Sequence, residues 1–299
     1  MYIGRFAPSP TGELHFGSLL AALASFLDAK SNNGLWLLRI DDIDPPREMP
    51  GASQRIIQSL SDYGLQWDKE VIFQSERQHL YNDALQKLIL ANLAYPCFCS
   101  RKDIKQRSGN GFYDGYCRKT DNSAINLEST IPLAQNHAWR FKSADNQITW
   151  QDGILGEQSC EFPDLADFVV LRRDKLWAYQ LAVTVDDYLM GITHIVRGND
   201  LLHESAKQLT LIEALNYSTI HYSHIPLITH ADGQKLSKQN HAPALNADNA
   251  CKDLLKALSF LGQNVPSSLK TANKHEILQS AIINWQPQAI PKNNISINS

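Results

Sequence analysis

The first forty residues change hydrophobic period twice. A short strand opens the stretch Gly4-Arg-Phe-Ala-Pro-Ser-Pro-Thr-Gly-Glu-Leu-His-Phe-Gly-Ser18, a Pro- and Gly-stiffened turn follows, and a helix is predicted to start at about Gly17. From Ser18 to about Lys30, Leu19, Leu20, Leu23, Phe26 and Leu27 fall at i, i+1, i+4, i+7 and i+8, which gives that helix one buried face. Gly34-Leu-Trp-Leu-Leu-Arg-Ile40 is then a short apolar run suited to a strand covered on both faces. Strand, helix and strand in this order predict a right-handed βαβ unit, half of a nucleotide-binding fold.

Further along, Ala52 to Tyr63 and Ser75 to Leu93 have amphipathic helical spacing, the second with a capping box of Ser75 and Gln78. Trp139–Lys142, Ile148–Trp150 and Ile154–Leu155 are short strand patterns inside a β-rich insertion. Phe168–Arg172 and Lys175–Leu181 predict a hairpin leading back into the sheet. The run Ile192–Leu202 is a strand, and a helix of about Leu202 to Ala214 follows. Beyond the polar loop Ile228–Gln239 come two helices, about Ala247–Leu261 and Lys274–Trp285, and a polar tail, Asn293–Ser299.

Composition narrows the class. With 299 residues and 43% hydrophobic positions the chain can build a sizeable core. There is no N-terminal apolar segment with a cleavage site and no run of 18 apolar residues, so a soluble, cytoplasmic protein with no membrane partner is expected. The formal net charge of −3 argues against coating by a polyanion, and any nucleic acid must be held by local patches. Candidates are Arg101, Lys102, Lys105 and Arg107, then Arg118 and Lys119; solvated surface is the alternative for each. Five cysteines, an odd number, speak against a disulfide framework. Cys160 and Cys251 stand alone as core thiols, whereas Cys97, Cys99 and Cys117 can occupy three corners of a zinc tetrahedron.

Several stretches carry chemistry. The helix start after Gly12 and Gly17 offers free N–H groups and a dipole to a phosphate, and His15 sits at its mouth. Asp41-Asp42-Ile43-Asp44 places carboxylates at the carboxyl end of the second strand, where ligands bind in such sheets; solvated turn residues are the alternative. Arg197 ends an apolar strand, and a buried arginine needs a partner: Asp186, Asp187, Asp200 or a ligand. Lys235 and Lys238 lie in the polar loop.

Together these residues resemble class I aminoacyl-tRNA synthetases of the glutamate-specific branch. His15-Phe-Gly-Ser18 is similar to the first class signature, Lys235-Leu-Ser-Lys238 to the second, and Arg5-Phe-Ala-Pro-Ser-Pro-Thr-Gly12 to the characteristic opening of glutamyl-tRNA synthetases. Arg39-Ile-Asp-Asp-Ile-Asp44 has Asp41 where that family usually has Glu. Val185-Asp-Asp187 with Thr193-His-Ile-Val-Arg-Gly198 matches as well.

The resemblance implies an α/β, Rossmann-type catalytic domain in two halves, 1–95 and 166–240. A zinc-containing, acceptor-type insertion would occupy 96–165 and a short helical region 241–299. It implies glutamate binding by Arg5, Phe6, Ala7, Pro8, Ser9, Asp41, Tyr179 and Arg197. ATP would be held by His15, Gly17, Ser18, Lys235, Leu236, Ser237 and Lys238, with Mg²⁺ as counterion and His15 and Lys238 as catalytic residues. Zn²⁺ would be held by Cys97, Cys99, Tyr113 and Cys117, in a structural role. The expected product is glutamyl-adenylate. About 60 residues follow Lys238, too few for a separate anticodon-binding domain. That is the layout of the short paralogues, and it implies transfer of glutamate to the queuosine base in the anticodon of tRNA(Asp) by a monomer. The alternatives are a truncated glutamyl-tRNA synthetase charging tRNA(Glu) and a non-catalytic tRNA-binding paralogue.

Overall fold

A computed structural model of the chain describes residues 1–119, 136–143, 147–161, 163–230 and 243–297. The expected βαβ unit is there: β1 (Ile3–Phe6), α1 (Phe16–Ser31) and β2 (Leu35–Ile40), with β1 parallel to β2 and Ile3 opposite Leu35. The five α1 residues picked out by spacing are all buried, against Trp36, Leu38 and Ile40 of β2. Each such side chain removed from water contributes about 1.5–3 kcal/mol, so the α1 face is a main anchor of this core. Next come α2 (Ala52–Asp62) and β3 (Ile72–Phe73), the latter parallel to β2 with Arg39 opposite Ile72.

The capping box predicted for the next helix does not form. Asp42 accepts both the Ser75 amide and its hydroxyl, at 2.9 and 2.7 Å, so Ser75 is spent on the end of β2. A 3-10 turn, Gln74–Arg77, takes its place, and α3 (Gln78–Leu90) starts three residues late.

The insertion begins at β4 (Ala94–Cys97) and continues through α4 (Arg101–Ser108) and α5 (Tyr116–Lys119). It returns as β5 (Ala138–Phe141), the hairpin of β6 (Ile148–Asp152) and β7 (Gly156–Cys160), and β8 (Val169–Leu171). β4, β5 and β8 form one antiparallel sheet. Ile154 and Leu155, expected in a strand, instead form the β6–β7 turn, where the Asp152 carboxylate accepts both their amides at 3.0 and 2.9 Å.

The hairpin predicted over 168–181 is cut short. Leu171 and Trp177 make an isolated antiparallel bridge, and the chain then enters α6 (Tyr179–Leu189). The buried Leu181, Ala182 and Val185 have helical spacing, and they pack on Trp139, Phe141 and the α3 residues Leu85 and Leu88.

β9 (His194–Gly198) and β10 (His221–Ile225) are parallel, joined through α7 (Leu202–Ala214). The Thr193 amide donates to the Ile3 carbonyl at 2.9 Å, and the Ile3 amide donates to the Thr193 hydroxyl at 2.9 Å. β9 therefore starts beside β1 on the edge away from β2, and the strand order reverses between β1 and β9. In such sheets ligands bind at the carboxyl ends of the strands flanking that reversal.

The last part covers this core. α8 (Ala250–Phe260) and α9 (Lys274–Ile283) bury Leu254, Leu258, Ile277 and Leu278 in the same cluster as α1. The stretch read as a polar tail contributes a strand: β12 (Ile295–Ile297) is parallel to β11 (Ile228–His230). Ile295 and Ile297 around Ser296 carry the period-2 spacing that permits this. Among the described residues, no helix is long and apolar enough to cross a membrane.

Candidate active site

The reversal point opens into a cleft of about 810 Å³. From the β1 side it is lined by Arg5, Phe6, Ala7, Pro8 and Ser9, and from the start of α1 by His15, Gly17 and Ser18. Tyr179 and Arg197 close the opposite wall. Residues separated by almost two hundred positions in sequence thus share one cavity. Asp41 is not among its lining residues. Lys235, Leu236, Ser237 and Lys238 lie outside the described residues. The chain on either side of them is placed at the cleft: Ile228 lines it, and Leu245 donates its amide to the Leu14 carbonyl at 2.9 Å, next to His15.

The helix start differs from the open anion cradle that the sequence suggests. His15 is the N-cap, and its Nδ1 accepts from the Gly17 and Ser18 amides at 3.1 and 3.4 Å. Two of the first donors are thus engaged by the imidazole itself, because a ring nitrogen at N-cap reaches the N2 and N3 amides as a serine hydroxyl does. With Nδ1 accepting, a neutral His15 carries its proton on Nε2.

The two arginines proposed for substrate have opposite surroundings. Arg5 makes a fork onto Asp187, Nε to Oδ1 at 3.1 Å and Nη2 to Oδ2 at 3.2 Å. Asp187 also accepts Arg39 Nη1 at 2.6 Å, and Arg39 Nε donates to Asp41 at 2.6 Å. Burial works against the Asp187 charge, but Arg5 and Arg39 together hold its carboxyl below the usual range. Burial pushes Asp41 up to about 6 despite Arg39. Behind them Asp186 is bonded to Arg77, Gln74 and Tyr81. Asp41 therefore spends its carboxylate on Arg39, a buried partner one methylene closer than Glu would place it, and not on the cleft.

Arg197 is buried with no carboxylate partner among the described residues. Its Nε donates to His224 Nε2 at 3.2 Å and its Nη2 to Ser205 Oγ at 2.8 Å, both neutral acceptors. The Tyr222 ring lies 5.0 Å from its Cζ. Nη1 has no hydrogen-bond partner among the described residues. Leaving a charged donor buried and unbonded is costly, so this edge of the guanidinium could hold an anion. Tyr179, with its phenol pKa raised by burial, stands in the same wall as a neutral hydroxyl.

Arg39 and His224 escaped the sequence reading. Arg39 is fully buried inside β2, and the rule that flagged Arg197, a charge within an apolar strand, would have flagged it too. His224 offered no local signal, since its partners come from β6, β9 and α7.

In the insertion, Cys97, Cys99 and Cys117 bring their sulfurs within 4.8 Å of one another. The Tyr113 hydroxyl lies 3.6 Å from Cys97 Sγ and accepts the Cys117 amide at 2.8 Å. Arg140 Nε and Arg107 Nη2 approach the Cys97 and Cys99 sulfurs at 3.2 Å each, although burial pushes the Cys99 thiol up to about 11. Lys102 and Lys105 are exposed on α4 beside this cluster, as is Arg101.

Comparison with known proteins agrees with the geometry. Residues 3–295 match the family model of tRNA synthetases class I (E and Q), catalytic domain. The chain is 45% identical, over 99% of both chains, to a protein of Neisseria meningitidis serogroup C named glutamyl-Q tRNA(Asp) synthetase. It is 45% identical to an Escherichia coli O6:H1 protein of the same name, covering all of this chain and 93% of that one. Among solved structures, a glutamate tRNA ligase from Elizabethkingia meningosepticum in complex with its amino acid superposes with a TM-score of 0.80 and 25% identity. That match covers 99% of this chain and 66% of the ligase. A family model spanning nearly every residue and full-length relatives at 45% identity agree with a superposable fold: the chain belongs to the class I tRNA synthetases of the glutamate and glutamine group.

Proposed function

We propose that this chain activates glutamate with ATP to glutamyl-adenylate and transfers the glutamyl group to the queuosine base in the anticodon of tRNA(Asp). The single observation that carries the first half is Arg197, buried in the cleft wall with, among the described residues, an unbonded Nη1 and no carboxylate partner. The names of the full-length relatives support the second half. The substrate carboxylate is already ionised at neutral pH, so attack on the α-phosphate needs no protein base. Positioning and positive charge suffice.

Arg197 and Tyr179 hold glutamate, with the backbone and side chains of Phe6, Ala7, Pro8 and Ser9 shaping the facing wall, and Arg5 lines the cleft while held by its Asp187 fork. Asp41 acts through Arg39. His15, Gly17 and Ser18 face the phosphates, with Mg²⁺ as their counterion. Lys238, and Lys235 beside it, neutralise charge that develops on the leaving pyrophosphate. Lys238→Ala is expected to slow adenylate formation by about 10²-fold, the usual loss for one transition-state donor; ATP–pyrophosphate exchange at the wild-type rate would remove Lys238 from the mechanism.

The four insertion residues fit a structural zinc, since the three thiols converge and cations already face two of them. Cys97, Cys99, Cys117 and Tyr113 would hold it, the phenol losing its proton on binding. Zinc would supply a crosslink within a polar segment with a small core of its own. Elemental analysis should find about one zinc per chain, and chelation should lower the Tm; a metal-free preparation with unchanged Tm would eliminate the site. We read the protein as a cytoplasmic monomer.

The deciding experiment is transfer of labelled glutamate, with ATP, to tRNA(Asp) with and without queuosine and to tRNA(Glu). Label on queuosine-containing tRNA(Asp) alone is expected. Label on the 3′ end of tRNA(Glu) would make this a minimal aminoacylating enzyme, and label on no RNA would refute the transfer.

A further inference from the structure

The insertion reaches the cleft through one buried chain of side chains. Asp152 ends β6, and its turn lies directly on β10: the Gly153 amide donates to the Tyr222 carbonyl at 2.9 Å. A Cβ at Gly153 would stand 2.3 Å from Ser223 Oγ, so any larger residue would require that hydroxyl to turn away. The Asp152 Oδ1 accepts the amides of Ile154, Leu155 and His224, and Oδ2 lies 2.5 Å from His224 Nδ1. Asp152 and His224 are both fully buried.

These contacts determine the imidazole tautomer. An ionised carboxylate only accepts, so the proton between Asp152 and His224 belongs on Nδ1. Arginine only donates, and its Nε is 3.2 Å from His224 Nε2, so that nitrogen must present its lone pair. Both neighbours demand the same tautomer. Burial lowers the His224 pKa, which keeps the ring neutral, and the Asp152 pKa is lowered, against burial, by its bond to His224.

We propose that Asp152 and His224 are positioning residues for substrate: through the Nδ1-protonated imidazole they orient the Arg197 guanidinium so that its Nη1 edge meets the carboxylate of the amino-acid substrate. The role of Arg197 itself rests on the function proposed above. Asp152 touches no substrate. It belongs to the insertion hairpin, so the amino-acid subsite is completed by a segment outside the βαβ units.

The test uses Asp152→Asn in the full chain. Asparagine is nearly isosteric, and its carbonyl can keep the turn amides while its NH₂ faces His224 Nδ1. Nδ1 must then accept, the proton moves to Nε2, and an N–H faces the Arg197 Nε–H. In glutamate-dependent ATP–pyrophosphate exchange, KM for glutamate should rise about tenfold or more, with KM for ATP within about twofold of wild type. His224→Phe should show the same split. His224→Gln, which offers a carbonyl to Arg197 and an NH₂ to Asp152, should bring the glutamate KM at least about threefold below that of His224→Phe.

Equal changes in both KM values, or loss of kcat alone with a lowered Tm, would reduce the pair to structural support and overturn the proposal. A tautomer readout separates its failure from that of the function. Nitrogen-15 NMR of labelled histidine, with the signal assigned through His224→Gln, should find His224 protonated on Nδ1 in the wild type and on Nε2 in Asp152→Asn. An Nε2-protonated wild-type ring sinks the proposal even if exchange is active. No exchange with glutamate in the wild type, beside an Nδ1-protonated ring, sinks the function and with it the substrate role of the pair.

Discussion

Arg197→Met is expected to lower kcat/KM for glutamate by about 10³-fold in ATP–pyrophosphate exchange, while KM for ATP stays near its wild-type value. Methionine keeps much of the apolar stem and removes the fork. A buried, desolvated charge pair between protein and ligand loses about 2–5 kcal/mol when one partner is truncated, and 10³-fold corresponds to about 4 kcal/mol. The upper part of that range applies because no described carboxylate shares Arg197, so its charge is fully available to the ligand. Arg197→Lys should recover only part of the loss. An ammonium cannot reproduce the planar set of bonds to His224, Ser205 and a carboxylate together. A glutamate KM unchanged in Arg197→Met would show that another group binds the amino acid.

The second large effect concerns stability. Asp187→Ala should destabilise the fold by about 3–5 kcal/mol in urea unfolding, because two fully buried arginines, Arg5 and Arg39, lose a shared carboxylate. Asp174→Ala, at an exposed ion pair with Arg172, should cost less than about 1 kcal/mol and serves as the control. The pH dependence has a definite sign. Asp187 has its folded-state pKa depressed below the ordinary carboxylate value, so its contribution is present above about pH 4 and is lost as pH falls through the folded value. The wild type should therefore lose stability below about pH 4 more steeply than Asp187→Ala. Parallel acid-unfolding curves for the two proteins would show that the buried cluster does not depend on this charge.

The effects differ in kind because the two arginines do. Both lie at carboxyl ends of strands flanking the sheet reversal, yet Arg5 is neutralised by Asp187, whereas Arg197 has no carboxylate partner among the described residues. With Arg5 paired to Asp187, Arg197 is the arginine of the two with an unbonded buried N–H among the described residues, which is why we place the glutamate carboxylate on it. Asp41 follows the same logic: its carboxylate balances Arg39 inside the fold, and it is not among the residues that line the cleft.

Much of the site was legible locally. The spacing of Leu19, Leu20, Leu23, Phe26 and Leu27 is sufficient to bury one face of α1, and the apolar run 34–40 requires cover on both faces. Those two facts fix the βαβ unit and, with it, the place where Arg5 and His15 emerge. Local reading failed where a distant acceptor outcompeted a near one. Ser75 abandons its capping box for Asp42, and the Lys175–Leu181 arm gives way to α6 because its apolar residues have helical spacing and a core formed by α3 and β5 to pack on.

By itself the sequence determined the βαβ unit, the family resemblance and several of the residues that line the cleft, because hydrophobic period and turn chemistry act over a few residues. Which arginine is paired, which tautomer His224 adopts and where Asp152 reaches were decided only by tertiary structure. Those properties depend on groups brought together from β1, β6, β9, β10 and α6, and in a low-dielectric interior the nearest charge or lone pair, however far away in sequence, outweighs any local preference.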